Sequence, residues 1–94
     1  MRRHKVDTNQ QAIIEALKAA GASVLDLSGV GVGCPDILCG YRGINILMEI
    51  KNPTGLGNRL TPAEREFMDN WRGQAGVVSS IEEALTLLED IWLE

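Results

Sequence analysis

The sequence is poor in the residues on which several common classes of protein depend. It contains two cysteines, Cys34 and Cys39, and a single histidine, His4. A scaffold stapled by disulfides and a zinc site with the usual His and Cys spacing are therefore both excluded. No apolar run reaches the roughly 18 residues of a membrane helix, and the basic start of the chain leads into polar residues instead of a signal-peptide core. We expect one domain over residues 1–94, soluble and cytoplasmic, with no membrane partner.

Positive charge is also scarce. The chain has 9 Lys and Arg residues against 13 Asp and Glu residues, which gives a net charge of -4. A protein that holds nucleic acid through a broad basic surface is usually far more basic, so DNA binding would depend on local groups and on a divalent cation that offsets carboxylate charge. The candidate DNA contacts are Lys5, Arg42, Asn52 and Arg59.

The most informative stretch is CPDILCGYRGINILMEIK, residues 34–51. It places a Pro-Asp pair before one apolar run and a Glu-x-Lys triplet at the end of the next, with a glycine-bounded turn over residues 40–43 between them. If the two runs pair as a hairpin, Asp36 comes to lie beside Glu49 and Lys51. Side chains alternate along a strand, so Glu49 and Lys51 project from one face about 6 to 7 Å apart.

Two carboxylates and one ammonium form a minimal set for hydrolysing a phosphodiester. Carboxylate oxygens suit Mg²⁺ or Mn²⁺, which bind phosphate oxygens and lower the pKa of bound water. Lys51 would orient or deprotonate the attacking water, or neutralise charge on the phosphate, and the sequence leaves these roles open. Taken singly, Asp36 is typical of a turn, and Glu49 with Lys51 of the solvated face of a strand. An acid inside the mostly apolar run INILMEI needs a partner or a metal, however, which favours one shared site.

Three capping-box patterns mark the starts of helices. Each precedes an apolar pattern of helical period: Thr8 with Gln11, Thr61 with Glu64, and Ser80 with Glu83. The strand candidates are residues 23–27, 36–39, 44–51 and 76–78. The order helix, three strands, helix, strand, helix predicts an α/β fold, a small mixed sheet flanked by helices. The loop over residues 52–60 either folds over a substrate or simply connects two elements.

A second motif, GVGVG at residues 29–33, is similar to a glycine-rich phosphate-binding loop. A dinucleotide-binding loop requires a helix directly after it, whereas Pro35 favours an extended backbone and a strand follows. The GK[ST] sequence of a P-loop is also absent. The glycines are better explained by a turn that is flexible or closely approached by another segment and that leads to Asp36, or by a plain loop.

With these features in order, the chain resembles the VRR-NUC family, the virus-type replication-repair nucleases of the PD-(D/E)xK superfamily, and particularly its small stand-alone phage and bacterial members. The resemblance covers nearly the whole chain: NQQAIIEALKAAG, then GCPDIL, then ILMEIK, then a glycine-containing loop leading to LTPAE, then GVV. It implies a restriction-endonuclease-like core in the order αβββαβα and a location in bacterial or phage-infected host cytoplasm.

The resemblance also implies roles for particular residues. Asp36 and Glu49 would bind the metal together with the backbone carbonyl of Ile50, and Lys51 would be the catalytic lysine. The first-helix position that often carries a metal-associated Glu corresponds to Gln10, which would reach the ion through its amide oxygen or through a water. The position after LTP, often Gln in relatives, corresponds to Glu64, for which the capping box is a sufficient structural explanation.

The function that the resemblance implies is structure-selective DNA cleavage. Small members of the family are similar to junction-resolving nucleases and tend to act as homodimers. We therefore expect a homodimer, dependent on Mg²⁺ or Mn²⁺, that cuts four-way (Holliday) junctions, with the third helix near Ile91 and Trp92 as the subunit contact. A flap or other branched DNA is the alternative substrate. A non-catalytic DNA-binding module that retains the nuclease fold is the alternative of another class, and restriction-type cleavage of unbranched duplex is a third.

Overall fold

The computed structural model describes residues 8–53 and 59–93, and these form three helices and four strands in the predicted order. The elements are α1 (Thr8–Ala19), β1 (Ser23–Asp26), β2 (Ile37–Tyr41), β3 (Ile44–Ile50), α2 (Pro62–Asn70), β4 (Ala75–Val78) and α3 (Ile81–Leu93). Each observed strand boundary lies within two residues of the predicted one. Among the described helices, none is long and apolar enough to cross a membrane.

The four strands form one mixed sheet in the order β1-β2-β3-β4. The first three pair antiparallel as a meander, and β4 pairs parallel to β3 after the crossover through α2. In the hairpin, Ile37 lies opposite Met48 and Tyr41 lies opposite Ile44. The start of β2 and the end of β3 therefore share one end of the sheet, which is the end where the sequence predicts that Asp36 and Glu49 meet.

The main core lies between one face of the sheet and the helices α1 and α3. Alternate residues of β2 are buried, as expected for a strand with one face covered. The core side chains from the strands include Ile37, Cys39, Ile46, Met48, Ile50 and Val78, and those from the helices include Ile13, Leu17, Ala84 and Leu88. Both cysteines are free, and Cys39 fills a position in this core.

Helix α2 is attached differently from the other two helices, because none of its residues is buried. Its first turn is closed by the predicted capping box: Thr61 Oγ1 accepts from the Glu64 amide at 3.1 Å, and Glu64 Oε1 accepts from the Thr61 amide at 2.8 Å. At its other end the rings of Phe67 and Trp71 stack with their centroids 5.1 Å apart. The helix thus depends on capping and surface contacts for its position.

The box before α3 differs from the prediction by one residue, since the Glu83 carboxylate accepts from the Ser79 amide at 2.7 Å. The other half of that box is as predicted, with Ser80 Oγ accepting from the Glu83 amide at 3.0 Å. For the box predicted before α1, the side chain of Thr8 lies outside the described part of the chain.

The GVGVG segment forms the close approach that the sequence predicted. Gly33 has a φ of +80°, and a Cβ added there would lie 2.5 Å from the backbone oxygen of Ala63, in the first turn of α2. Gly31 has a similar φ of +82°, but a Cβ there would meet nothing within 4 Å. Only glycine at position 33 lets α2 come this close to the loop before Asp36.

Gly33→Ala should therefore destabilise the protein by at least about 1 kcal/mol more than Gly31→Ala. Both variants carry the strain of a left-handed alanine, but only Gly33→Ala forces the loop away from α2. Urea unfolding of the two variants beside the unsubstituted chain measures the difference. Equal losses of stability would show that the contact with Ala63 contributes nothing.

Candidate active site

Asp36 and Glu49 lie side by side at the open end of the hairpin. The last pair in the β2–β3 register is Ile37 with Met48, so the next positions outward are Asp36 and Glu49. Beyond that pair, the backbone amide of Ile50 donates to the side chain of Asp36, with 2.8 Å between the Ile50 nitrogen and Asp36 Oδ2. A side-chain acceptor thus stands where a backbone carbonyl of β2 would continue the sheet. Glu49 is only 3% exposed. Both carboxylates are thus held at the same end of the sheet.

Lys51 follows β3 directly and lies beside Glu49. Met48 and Ile50 belong to the core, so alternation along the strand places Glu49 and Lys51 on the opposite face. The Lys51 ammonium nitrogen, Nζ, is 3.4 Å from Glu49 Oε2. The structure therefore brings Asp36, Glu49 and Lys51 together at one end of the hairpin, as the sequence predicts.

A fourth charged group, Glu64, also reaches this site. Its Oε1 lies 2.8 Å from Lys51 Nζ, whereas Glu49 Oε2 lies 3.4 Å from the same nitrogen. The capping box predicted from the sequence is only one role of Glu64, because the same carboxylate also contacts Lys51. The sequence signal for this contact is the position of Glu64 in the first turn of α2, the helix that follows the loop after Lys51.

The two hairpin carboxylates are held in an environment that disfavours their charge. Burial, followed by the neighbouring carboxylates of Asp36 and Glu64, raises the pKa of Glu49 to about 8, and the Lys51 ammonium opposes this increase only in part. Burial also raises the pKa of Asp36, against the hydrogen bond from the Ile50 amide. Three carboxylates facing one ammonium leave an excess of negative charge at the end of the sheet.

Lys51 and Glu64 shift in the directions expected of an ion pair. Burial by itself lowers the pKa of Lys51, but hydrogen bonds and charge attraction from Glu64 and Glu49 outweigh it, and the net pKa is raised. Burial raises the pKa of Glu64, but the bonds from Lys51 and the Thr61 amide prevail and lower it. At neutral pH this pair is therefore ammonium and carboxylate.

The oxygen donors at the site fit a hard divalent cation. Asp36 and Glu49 provide carboxylates, and the Ile50 carbonyl lies on the same edge of β3 as the amide that binds Asp36, because both groups of one strand residue point the same way. Within residues 8–53 and 59–93, no group of three or more His, Cys, Asp or Glu side chains is arranged to hold a metal. An ion here would be shared by two carboxylates and a main-chain oxygen.

The residue of α1 that contacts the site's backbone is Asn9. Its Nδ2 donates to the carbonyl of Lys51 and to the carbonyl of Ser79, both at 3.1 Å. Its Oδ1 is buried and has no hydrogen-bond partner in the described residues. The predicted residue, Gln10, is half-buried at the next position of the helix. The sequence did not predict this role of Asn9. Its partners are backbone carbonyls that come together only where the parallel pairing of β3 and β4 ends.

Arg42, a predicted DNA contact, lies at the opposite end of the hairpin. Because a strand rises about 3.3 Å per residue, Arg42 lies roughly 20 Å from Asp36 along β2. Its guanidinium lies 4.4 Å from the ring centroid of Trp92 and 5.1 Å from that of Tyr41. The Tyr41 hydroxyl in turn donates to Glu89 Oε2 at 3.1 Å. Arg42 thus joins the hairpin turn to the end of α3 and is not near the carboxylates.

The other predicted DNA contacts flank the loop after Lys51 or lie outside the described residues. Asn52 is half-buried directly after Lys51, and Arg59 is exposed where the description resumes before α2. Lys5 and residues 54–58, the middle of the predicted loop, lie outside the described part of the chain.

Comparison with known proteins identifies a structural relative. No family model and no curated protein matches the chain. A solved structure described as a VRR_NUC domain matches with a TM-score of 0.64 and 25% sequence identity, over 85% of this chain and 89% of that one. The order of elements and the mixed sheet agree with the restriction-endonuclease-like core that the resemblance implied, so the predicted fold class is confirmed.

Glu49→Gln should stabilise the protein near pH 8 in the absence of divalent ions. Because the pKa of Glu49 is about 8 in the folded chain and 4.5 ordinarily, the folded state keeps a proton that the unfolded state loses between these values. The free energy of unfolding of the unsubstituted chain therefore falls as pH rises through this window. Glutamine does not titrate, so the variant should be more stable by on the order of 2 kcal/mol at pH 8 and nearly equal at pH 4.5.

Urea unfolding at several pH values measures this difference. The control is Glu82→Gln, at an exposed position in the first turn of α3, which should not reproduce the pH-dependent gain. A stability difference between Glu49→Gln and the unsubstituted chain that is constant over pH 4.5 to 8 would contradict the assignment.

Proposed function

We propose that this chain, whose fold matches that of a solved VRR_NUC domain, is a divalent-metal-dependent DNA endonuclease of the PD-(D/E)xK superfamily that hydrolyses phosphodiester bonds. The observation that carries the proposal is the buried Glu49, which lies between Asp36 and Lys51 on the face of the sheet away from the main core. A buried carboxylate beside a second one is costly to keep unless it serves a charged ligand.

Asp36, Glu49 and the Ile50 carbonyl are the residues that would hold Mg²⁺ or Mn²⁺. When bound, such an ion supplies Lewis acidity and a bound water of lowered pKa. The chain's own part is to hold the oxygen donors in place, and the Ile50 amide does this for Asp36 through its hydrogen bond of 2.8 Å. The side-chain amide of Asn9 donates to the carbonyl of Lys51, the residue after Ile50.

Of the roles that the sequence left open for Lys51, the raised pKa favours that of a cation. Its bonds to Glu64 and Glu49 keep the side chain protonated, whereas a general base must be a neutral amine. We infer that the ammonium neutralises negative charge that develops on the phosphate during cleavage. Gln10 remains a candidate for a water-mediated contact with the ion.

We propose a branched DNA as substrate, with the four-way junction first and a flap second. Two strands of a junction must be cut in a coordinated way, which a homodimer with two sites provides. The end of α3 is the candidate subunit contact, because Trp92 and Leu93 are 38% and 69% exposed. Asn52 and Arg59, which flank the loop after Lys51, are the candidate DNA contacts on this side, whereas Arg42 would contact DNA only beyond the hairpin turn. Lys5 stays a candidate from the sequence.

The test is cleavage of labelled four-way junction, flap and linear duplex in Mg²⁺ or Mn²⁺, comparing the unsubstituted chain with Lys51→Ala and Glu49→Gln. We expect the junction to be cut, with a loss of at least about 100-fold in rate for both variants, because each removes a charged group aimed at the phosphate. Lys18→Ala, an exposed lysine at the end of α1, is the matched control and should cut normally.

Binding of DNA without cleavage of any substrate, and without binding of divalent ions, would favour the alternative of a non-catalytic module. In that case the net charge of -4 and the absence of a carboxylate at Gln10 would be the leading explanations for the lack of cleavage. Equal cutting of all three substrates would instead favour a nuclease without preference for branched DNA.

Sedimentation at micromolar concentration tests the homodimer separately. Trp92→Ala should convert a dimer to monomers and reduce the paired cutting of a junction, since interfaces depend heavily on buried aromatic residues. Trp71→Ala is the matched control, because Trp71 is also an exposed tryptophan but lies just after α2. An unsubstituted chain that sediments as a monomer would contradict junction resolution by a dimer.

A further inference from the structure

The Lys51 ammonium has two carboxylate partners that come from different elements. Glu49 belongs to β3 and lies 3.4 Å from Nζ, whereas Glu64 belongs to the first turn of α2 and lies 2.8 Å away. The side chains of Lys51 and Glu64 are only 12% and 19% exposed. The shorter pair is therefore well shielded from water and is stronger than an ordinary surface ion pair.

Glu64 is held in place before it meets the lysine. Its Oε1 accepts from the Thr61 amide at 2.8 Å, and its own amide donates to Thr61 Oγ1 at 3.1 Å. The start of a helix also favours a negative side chain. A carboxylate restrained in this way can hold a flexible lysine side chain at little further cost in conformational entropy.

The two partners differ in what else they must do. Under the proposed function, Glu49 gives its oxygens to a divalent cation, which weakens its hold on Lys51. Glu64 lies on another element and is tied to Thr61, so it can keep the ammonium in the site while Glu49 is engaged. Without Glu64, the lysine would be left with a partner whose negative charge is already neutralised.

We propose that Glu64 is a positioning residue that holds the Lys51 ammonium at the site independently of Glu49. The assignment rests on the proposed nuclease function for its catalytic consequence, but the ion pair itself can be observed without any activity. It extends the role of Glu64 from the capping of α2 to the orientation of the reacting lysine.

Glu83 provides a matched control within the same chain. It occupies the corresponding position of the capping box of α3, its amide donates to Ser80 Oγ at 3.0 Å, and its carboxylate accepts from the Ser79 amide at 2.7 Å. In the described residues, no lysine or arginine forms a salt bridge with it. Glu64→Gln and Glu83→Gln therefore remove the same charge from similar caps, and only the first removes the partner of Lys51.

The first measurement is the ¹⁵N NMR signal of the lysine ammonium groups in the whole chain without divalent ions, assigned through Lys51→Ala. A signal from a held, slowly exchanging ammonium is expected at Lys51 in the unsubstituted chain and in Glu83→Gln. In Glu64→Gln it should broaden or disappear. Glu64→Asp, which keeps the charge but shortens the side chain, should give an intermediate signal.

The second measurement is the cleavage of labelled four-way junction by the same variants in Mg²⁺. Glu64→Gln should lower kcat about tenfold with KM nearly unchanged, because the lysine acts on the reaction and not on substrate capture. Glu83→Gln should leave both constants unchanged. In a Lys51→Ala background Glu64→Gln should have no further effect on the residual rate, since its partner is already gone.

Three results would overturn the positioning role. An unchanged Lys51 signal in Glu64→Gln would show that Glu49 alone holds the ammonium. A loss of kcat of the same size in Glu83→Gln would assign the effect to helix capping. A further loss in the Lys51→Ala background would mean that Glu64 acts on substrate or ion directly. If no substrate is cut at all, the proposed nuclease function fails, but the NMR measurement still decides whether Glu64 holds Lys51.

Discussion

The site depends first on the hydrogen bond between the Ile50 amide and the Asp36 carboxylate. This bond uses a side chain where the antiparallel pairing of β2 and β3 ends, so Asp36 is fixed by the sheet itself. It also turns the backbone edge of Ile50 towards the acids while the Ile50 side chain stays in the core. The positions of Glu49 and Lys51 then follow from simple alternation along β3. One bond therefore connects the packing of the core with the chemistry of the opposite face.

The arrangement places a stability cost at one end of the sheet. Glu49 is almost fully buried, and its raised pKa reports how poorly its charge is tolerated there. Lys51 compensates for part of this charge, and Glu64 in turn holds Lys51. Under the proposed function this cost is offset by what the group binds, which is the usual relation between stability and function at active sites.

The sequence predicted the order of elements, the hairpin and the meeting of Asp36, Glu49 and Lys51, because these follow from local periodicity and from the register of one turn. It did not predict the contacts that converge from distant elements. Asn9 binds two carbonyls that become available only where β4 pairs with β3, 42 and 70 residues along the chain. The second role of Glu64 depends on where α2 begins in space, and the close approach of α2 to the preceding loop is possible because residue 33 is a glycine. Local sequence patterns do not predict contacts between elements that are distant in the chain.

The absence of buried residues in α2 has a consequence for how the protein opens. A helix that is attached by a cap, a backbone contact and one ion pair can detach at a smaller free-energy cost than the helices that form the core. The amide hydrogens of its interior would then exchange with solvent through this local opening, while the sheet, α1 and α3 remain folded. Each such event also removes the carboxylate that holds Lys51. On this argument, a local equilibrium of one surface helix can lower the fraction of molecules with a complete site while the rest of the chain stays folded.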